Sequence, residues 1–482
     1  MHLKQQLPEI WRVSGAAALR CMYVAYSLRR RDDKDKMNSS QIRQRFVDYY
    51  KGLGFHLLPR APMLHPSIPM SFVMSAGLVQ VETSLSRAEE RSGDQFVLVQ
   101  ECFRYFDLDK VGTDGIHLSL FEMPGAFVFG PNGKVETVQR MWTLATSVLG
   151  IDASRIWASY FKGGQVLDEY LPADETTLQA WAEVGMSEDH IVGLGIGDNY
   201  WVQGDGIDGM EPSRKAGPNT ELFYDRGIEK ACRLDCKPGC RCGRFVEFSN
   251  SLFICRELDS QSGSLRPMAE PFAETVIGTE RVAMVLQSAQ SVFETDSYRP
   301  IIDSIHGFVH TPGLPELLVT AGERVIADHL KALYFLVADG APPPGKNGRE
   351  RIIKLLIRGV ITRQIILGIE TSNFLSTVLD CISQRVHSTL RATPEDEKRL
   401  MSYFSAEAQR FSRTIELGNR QLLRFLKENG GHTLSGSQIV CLEKQWGLPH
   451  LLTTAMLREK GLTFLEVGYR EALEVWKQRP HK

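Results

Sequence analysis

The spacing of apolar positions along the chain changes character near residue 290. Before that point, short runs rich in Val, Ile, Phe and Tyr are broken by Gly and Pro, as at 95–100, 121–130 and 244–248. Such runs predict strands of a mainly antiparallel sheet. Between them, apolar residues recur with helical period over 40–53 and 135–149, where helices are expected.

After residue 290, the helical period continues almost without interruption. It predicts four helices, over 321–337, 348–367, 396–418 and 420–429. Proline and glycine clusters separate these segments, notably at 341–345 and 430–431. We therefore expect an α+β protein in which an antiparallel sheet flanked by helices is followed by an all-helical domain.

The composition is that of an ordinary globular protein. The chain has 482 residues, of which 43% are apolar and 24% charged, and these values exclude disorder, collagen and coiled coil as overall descriptions. The 56 Lys and Arg residues nearly balance the 58 Asp and Glu residues, so no global positive field indicates nucleic acid. A local basic patch would not appear in that sum. No run of about 18 apolar residues is present, so we expect no membrane span.

Residues 1–36 are expected to be an N-terminal extension outside the fold. They carry several arginines around a short apolar patch, but Glu9 and the acidic residues at 32–35 are atypical of a transit peptide. A charged linker, or a start codon placed too far upstream, explains this composition better.

Four of the nine cysteines lie within one short segment, at Cys232, Cys236, Cys240 and Cys242. Four thiolates at this spacing, separated by turn-forming residues, can surround one tetrahedral ion. Sulfur-only ligation favours zinc in a structural role, and the alternative is a cysteine-rich loop without metal. The other cysteines are scattered singly, as expected for reduced thiols in the cytosol.

Two arginines occupy positions that are favourable for binding an anionic ligand. Arg104 follows an apolar strand and precedes a turn-prone loop, where a guanidinium can hold a carboxylate or a phosphate with two donors. Arg281 lies in the first turn of an apolar helix, where a cation opposes the helix dipole unless it binds a ligand. In isolation, either residue is more commonly a surface charge, and Trp201 alone indicates a core or lid residue.

Several segments, taken together and in order, resemble the alanyl-tRNA synthetase family of class II aminoacyl-tRNA synthetases. The resemblance extends from about Met37 to Gln478. In the first half, the matching segments are 37–43, 75–78 (the family's Asn-Ala-Gly-Met turn), 102–112 with 117–123 (class II motif 2), 199–201, 217–225, 246–253 and 274–281 (motif 3). In the second half, 324–332 and 337–340 resemble the start of the tRNA-recognition domain, and 434–436 and 446–449 its closing segment.

The resemblance implies a class II synthetase-type sheet and a division into three parts. These are the extension (1–36), an aminoacylation domain (37–290) with the Cys-rich loop 232–242, and a helical tRNA-recognition-like domain (291–482). The family's editing domain and C-terminal oligomerisation module have no counterpart in the sequence, so we expect a synthetase-like protein without editing.

The implied reaction has two steps and takes place in the cytoplasm. An amino acid, with alanine as the first expectation, reacts with ATP and Mg²⁺ to give an aminoacyl-adenylate, and the acyl group then moves to a tRNA 3′ end. The resemblance implies that Arg104 holds the α-phosphate, that Arg281 lies above adenine near the γ-phosphate, and that Phe121 stacks on the other adenine face. The amino-acid pocket would be lined by Trp201, Asn250, Glu274 and Val276, with Glu274 pairing with the substrate ammonium.

The chain departs from the family's pattern both in the amino-acid pocket and at the positions that read tRNA. Glu274 stands where the family has Asp and Val276 where it has Gly, so a pocket built for a methyl group is reshaped. The two family residues that read one acceptor-stem base pair fall near Lys346 or Asn347 and on Glu443, and an insertion occupies about 206–215.

These departures leave a second hypothesis open: a stand-alone paralogue that passes the activated amino acid to a non-tRNA acceptor such as a nucleoside, a peptide or a carrier protein. A third hypothesis, a non-enzymatic relative that binds tRNA or senses an amino acid, does not account for the retained Arg104, Phe121 and Arg281.

Overall fold

The computed structural model describes residues 36–65, 72–73, 94–130, 133–166, 169–203, 213–259, 264–370, 373–385, 390–431, 433–463 and 466–478. The extension up to residue 35, the segment 75–78 and most of the insertion at 206–215 lie outside the described residues.

One large sheet occupies the first half of the chain. The strands are β1 (His56–Leu57), β2 (Gln95–Phe103), β3 (Leu120–Phe129), β4 (Ile156–Phe161), β5 (Gly164–Val166), β6 (Glu169–Leu171), β7 (Ile191–Leu194), β8 (Tyr200–Val202), β9 (Ser213–Asp225), β10 (Phe245–Asp259) and β11 (Leu265–Ile277). The sheet order is β1-β2-β3-β11-β10-β9-β4-β7, with β8 paired to β9, while β5 and β6 form a separate hairpin. The β1–β2 and β4–β7 pairs are parallel, and the other described pairs are antiparallel. The prediction of a mainly antiparallel sheet is confirmed.

Helices flank the sheet and then make up the second half. They are α1 (Ser39–Gly52), α2 (Lys134–Thr143), α3 (Glu175–Glu183), α4 (Ile196–Asn199), α5 (Thr279–Leu286), α6 (Arg299–His306), α7 (Glu316–Ala338), α8 (Gly348–Ile366), α9 (Phe374–Ser383), α10 (Pro394–Glu428), α11 (Gly436–Lys444), α12 (His450–Glu459) and α13 (Glu466–Lys477). The predicted α+β class is therefore confirmed. Within the described ranges, no helix combines the length and hydropathy that crossing a bilayer requires.

The sequence sets the start of α1 through its cap. The Asn38 side chain accepts a hydrogen bond from the Gln41 backbone N–H at 2.9 Å, and the Gln41 side chain accepts one from the Asn38 N–H at 2.8 Å. This reciprocal box satisfies donors that the first turn leaves open. One face of the helix then buries Ile42, Phe46 and Tyr50, which recur every four residues.

The predicted break between two helices at 396–418 and 420–429 is wrong, because α10 is continuous. Gly418 lies inside it and is buried. A Cβ at Gly418 would lie 2.6 Å from the Cβ of Leu448, so the glycine lets the segment after α11 approach the helix closely. Its role is in packing and not in ending the helix.

One large apolar cluster joins the sheet to the helices that follow it. Phe103, Leu120 and Val246 from the strands pack in the same cluster as Ile326 and Leu333 from α7. The boundary at residue 290 remains a prediction, and the core is continuous across it.

Buried hydrogen bonds fix the orientation of α7 relative to the sheet. Asp328 of α7 is fully buried and accepts hydrogen bonds from both the backbone N–H, at 2.8 Å, and the hydroxyl of Ser119. Asp339, just after α7, accepts bonds from the Arg60 guanidinium and from the Met63 N–H at 2.8 Å. These contacts hold α7 in one position beside the start of β3.

We expect Asp328→Ala to lower the free energy of unfolding by about 3 kcal/mol, because it leaves two buried donors of Ser119 without an acceptor. The shift in urea midpoint measures this change. Asp380→Ala, on an exposed position of α9, is the matched control, for which we expect a change within about 0.5 kcal/mol. Equal shifts for the two variants would contradict the assignment.

Candidate active site

A cleft opens on the sheet where β3, β10 and β11 meet the start of α5. Its empty volume is about 640 Å³, including the part open to solvent. Five residues that the sequence singles out line it together, namely Arg104, Phe121, Asn250, Val276 and Arg281. These residues come from distant parts of the chain, and the register of the sheet brings them to one place.

Arg104 and Phe121 share one wall of the cleft. Cys102 of β2 lies opposite Phe121 of β3, so the residue two positions after Cys102 emerges beside the Phe121 ring. The Arg104 N–H donates to the Ser119 carbonyl at 2.9 Å, and the guanidinium carbon lies 4.9 Å from the Phe121 ring centroid. A cation and an aromatic face at this distance attract each other and present a flat, positively charged surface.

Arg281 approaches the cleft from the first turn of α5. Its Nη1 atom donates to the backbone carbonyl of Glu247 at 3.0 Å and to the Glu247 carboxylate at 2.9 Å. The carboxylate offsets the unfavourable position of a cation at a helix N-terminus. A guanidinium has five N–H donors, so anchoring through one nitrogen is compatible with a bond from another to a phosphate.

Two acidic residues beside the cleft were not predicted from the sequence. Glu221 of β9 lies opposite Asn250 of β10, and its carboxylate accepts from the Asn250 amide at 3.3 Å. Burial raises the pKa of Glu221 well above its usual range, and the nearby carboxylates of Glu247 and Asp198 raise it further, whereas Arg281 opposes the rise. Mutual repulsion of this kind is relieved by a divalent cation, and Mg²⁺ prefers carboxylate and phosphate oxygens.

The only signal for these residues lay in the resemblance, since 217–225 and 246–253 are among the matching segments. Nothing in the sequence showed that Glu221 and Glu247 lie close enough to interact. That proximity arises from the pairing of β9 with β10, whose register shifts between Glu247 and Ser249.

The residues predicted for the amino-acid pocket do not all reach the cleft surface. Val276 lies opposite Asn250 and both line the cleft. Glu274, two residues earlier in β11, is 1% exposed and lies opposite Phe127 of β3. Trp201 of β8 is not among the cleft-lining residues and packs instead with the aromatic cluster that includes Phe127.

The four clustered cysteines come together in the loop between β9 and β10. Their sulfur atoms all lie within 4.8 Å of one another, and Cys232–Cys240 and Cys236–Cys242 are 3.2 and 3.4 Å apart. Zn–S bonds of about 2.3 Å in a tetrahedron place sulfurs roughly 3.8 Å apart. The donor set therefore fits a structural zinc ion.

The loop is tied to the hairpin that carries the two acidic residues. Cys236 is buried against Trp157 and Phe245. Arg244 donates to the Cys236 carbonyl at 3.2 Å and to the Asp225 carboxylate at 2.6 Å. An ion held by the four sulfurs would stiffen the connection between β9 and β10.

The positions predicted to read tRNA differ in their surroundings. Lys346 and Asn347 are exposed at the start of α8. Glu443 of α11 accepts hydrogen bonds from the Tyr469 hydroxyl at 2.5 Å and from Lys444 at 2.8 Å. Burial raises the pKa of Glu443, but these two bonds, together with the nearby charges of Lys444 and His450, outweigh it and the pKa is lowered. This carboxylate is already held by its own chain.

Comparison with known proteins determines the family. Residues 41–482 match the family described as tRNA synthetases class II (A). The chain belongs to this family. The match covers both the sheet and the helical half, and it agrees with the class II type of fold that the resemblance implied.

The curated relatives of this class II synthetase are alanine–tRNA ligases. The protein from Alkaliphilus metalliredigens is 29% identical over 452 residues, which are 93% of this chain and 49% of the relative. The protein from Desulforudis audaxviator is 30% identical over 449 residues, 92% of this chain and 48% of the relative. The chain spans about half the length of the curated relatives it matches. Among solved structures, a pyrrolysyl-tRNA synthetase from Desulfitobacterium hafniense aligns over 61% of this chain and 88% of its own, with 12% identity and a TM-score of 0.33.

The suspected relationship to alanyl-tRNA synthetases is thus confirmed at the level of the family. Class II synthetases use ATP and Mg²⁺. The cleft of this member presents the guanidinium groups of Arg104 and Arg281 and the carboxylate of Glu247, with Glu221 close enough to Glu247 and Arg281 to interact with them.

We expect about one zinc ion per chain in the purified protein, measured by elemental analysis, because four convergent thiolates bind zinc strongly. Cys240→Ser should lose the ion. Cys441→Ser, which changes a cysteine outside the cluster, should retain it. A native protein purified without chelator and free of metal would contradict the assignment.

Proposed function

We propose that this chain activates an amino acid, alanine in the first instance, with ATP and transfers the acyl group to a tRNA 3′ end. The observation that carries the proposal is that Arg104, Phe121 and Arg281 line one cleft. A protein that only binds RNA or an amino acid has no use for two guanidinium groups and an aromatic ring on the walls of one cleft.

The two steps need charge stabilisation and positioning. A carboxylate oxygen of the amino acid attacks the α-phosphorus of ATP, and the bond to the leaving pyrophosphate breaks. A ribose hydroxyl of the acceptor then attacks the acyl carbon of the adenylate, and AMP leaves. Neither step requires a covalent bond to the protein, so fixed donors around the developing negative charge are what the site must supply.

Each residue at the cleft is assigned a separate role in binding ATP and Mg²⁺. Arg104 is assigned to the α-phosphate, and Phe121 and Arg281 to the two faces of adenine. Glu221 and Glu247 are the carboxylates suited to hold Mg²⁺, which, when bound, neutralises phosphate charge. Glu247 also orients Arg281 through its two hydrogen bonds.

The amino-acid pocket is assigned to Val276 and Asn250, which line the cleft. Glu274, which is buried, and Trp201, which packs in the aromatic cluster around Phe127, are assigned to it from the resemblance alone. A carboxylate such as Glu274, which is 1% exposed, is suited to pair with the ammonium group of the substrate. Val276 is 7% exposed and its branched side chain narrows the space beside Asn250. A pocket of this kind favours a small side chain, although one methylene group is worth only about 1–3 kcal/mol of discrimination.

A second candidate function is favoured by the state of Glu443. At the position assigned to base-pair reading, the carboxylate is bound by Tyr469 and Lys444. Reading an RNA base pair would require replacing those bonds. This favours the alternative in which the same adenylate is passed to a non-tRNA acceptor.

We expect Arg104→Ala to lower the rate of amino-acid-dependent pyrophosphate exchange by about 10²–10³-fold, the usual effect of removing one donor from a developing oxyanion. Arg424→Ala, at an exposed site on α10, is the control and should retain the wild-type rate. Circular dichroism confirms that both variants are folded. Unchanged exchange in Arg104→Ala would exclude the proposed phosphate contact.

The amino acid and the acceptor are identified by two assays on the wild-type chain. We expect pyrophosphate exchange to be fastest with alanine, with glycine as the nearest competitor, and total tRNA to be acylated by the same amino acid. Exchange without acylation of tRNA would instead support the second candidate. Absence of exchange with every amino acid would overturn both.

A further inference from the structure

A second charged cavity lies behind the wall of the cleft. Its empty volume is about 590 Å³, including the part open to solvent. Phe121 and Glu280 line both spaces. The far side of this second cavity comes from the helical half, including Lys331 of α7 and Arg385 beyond α9.

Glu122, the residue after Phe121, is held from two sides in this cavity. The Arg43 guanidinium of α1 binds its carboxylate at 2.6 and 2.8 Å. The Thr279 hydroxyl of α5 donates to the same carboxylate at 2.8 Å. Phe121 and Glu122 are consecutive in a strand, so their side chains leave opposite faces. One is assigned to the nucleotide and the other to the supporting network.

Glu280, the residue before Arg281, links the contacts of Glu122 to Lys331 of the helical half. Its Oε2 atom accepts from the Glu122 backbone N–H at 3.1 Å. Its Oε1 atom lies 3.7 Å from the Nζ atom of Lys331, which also lies 4.2 Å from the Tyr298 ring centroid. Glu280 is 4% exposed, so its charge depends on this partner.

We propose that Lys331 is a positioning residue for nucleotide binding: it keeps the Glu280 carboxylate charged, and that carboxylate holds the backbone beside Phe121 and the helix turn that carries Arg281. The inference rests on the proposed function, because it assumes that ATP occupies the cleft. Through Lys331, the helical half would help to position the residues of the cleft.

The electrostatic setting supports this role. Burial raises the pKa of Glu280, Lys331 lowers it, and Glu122 raises it again. The charged and titratable groups around Glu280 are Arg43 of α1, Glu101 and Cys102 of β2, Glu122 of β3, Tyr298 before α6, Lys331 of α7 and Arg385 after α9. Removing Lys331 therefore raises the pKa of Glu280, and the carboxylate becomes protonated at a higher pH. A neutral carboxyl group is a weaker acceptor for the Glu122 N–H.

The test is pyrophosphate exchange as a function of ATP concentration and pH. For Lys331→Met we expect KM for ATP to rise about tenfold, a typical coupling between neighbouring sites, with a smaller change in kcat. The acid limb of the pH profile should move up by about one pH unit, because an opposite charge within about 4–6 Å shifts a carboxyl pKa by that order. Lys331→Arg should restore both quantities. Glu280→Gln, which cannot titrate, should lose the part of the acid limb that Lys331→Met shifts.

Lys398→Met, at an exposed site on α10, is the matched control and should resemble the wild type. A wild-type chain that shows no exchange and binds no ATP by calorimetry would overturn the proposed function and this inference with it. A wild-type chain that exchanges, with KM and acid limb unchanged in Lys331→Met, would overturn this inference alone. A raised KM with an unmoved acid limb would also overturn it, since it would show a packing role without the electrostatic one.

Discussion

The register of the central antiparallel strands is the constraint on which the candidate site depends. Val276 of β11 lies opposite Gly125 of β3 and opposite Asn250 of β10. Because β3 and β11 run in opposite directions, the end of β11 and the turn into α5 lie beside the start of β3. This places Arg281 near Phe121, although about 160 residues separate them in the chain. A slip of one residue would send the side chains of a whole strand to the other face.

Charged side chains around the cleft interact with one another in ways that still allow a hydrogen bond or an ion pair with a ligand. Arg281 is bound to Glu247 through a single nitrogen. Glu221 is crowded by other carboxylates, and its pKa is raised by burial and by them. Guanidinium groups suit anionic phosphate oxygens, and clustered carboxylates suit a divalent cation. A carboxyl group whose pKa is raised by burial and by neighbouring carboxylates, as in Glu221, is common at functional sites.

The sequence predicted those parts of the site that depend on local residue pattern and on the order of segments along the chain. The strand ending before Arg104 and the helix beginning before Arg281 are readable from apolar runs and turn residues. Their convergence followed from the resemblance and not from periodicity. Glu221 and Glu247 were missed because a carboxylate in a strand gives no sign of its neighbours in the adjacent strand. The continuity of α10 was missed for a related reason: the packing of Leu448 explains Gly418, and this contact depends on tertiary structure.

The continuity of the core bears on how the two halves work together. Asp328, which binds Ser119, and Lys331, which lies near Glu280, are three positions apart on α7 and thus on one face of the helix. One face of a single helix therefore contacts both the loop that follows Arg104 and the turn that carries Arg281. The backbone N–H of Arg104 donates to the carbonyl of Ser119, which Asp328 holds, and the turn that carries Arg281 includes Glu280, which Lys331 approaches. The positions of both guanidinium groups therefore depend on the packing of this one helix against the sheet.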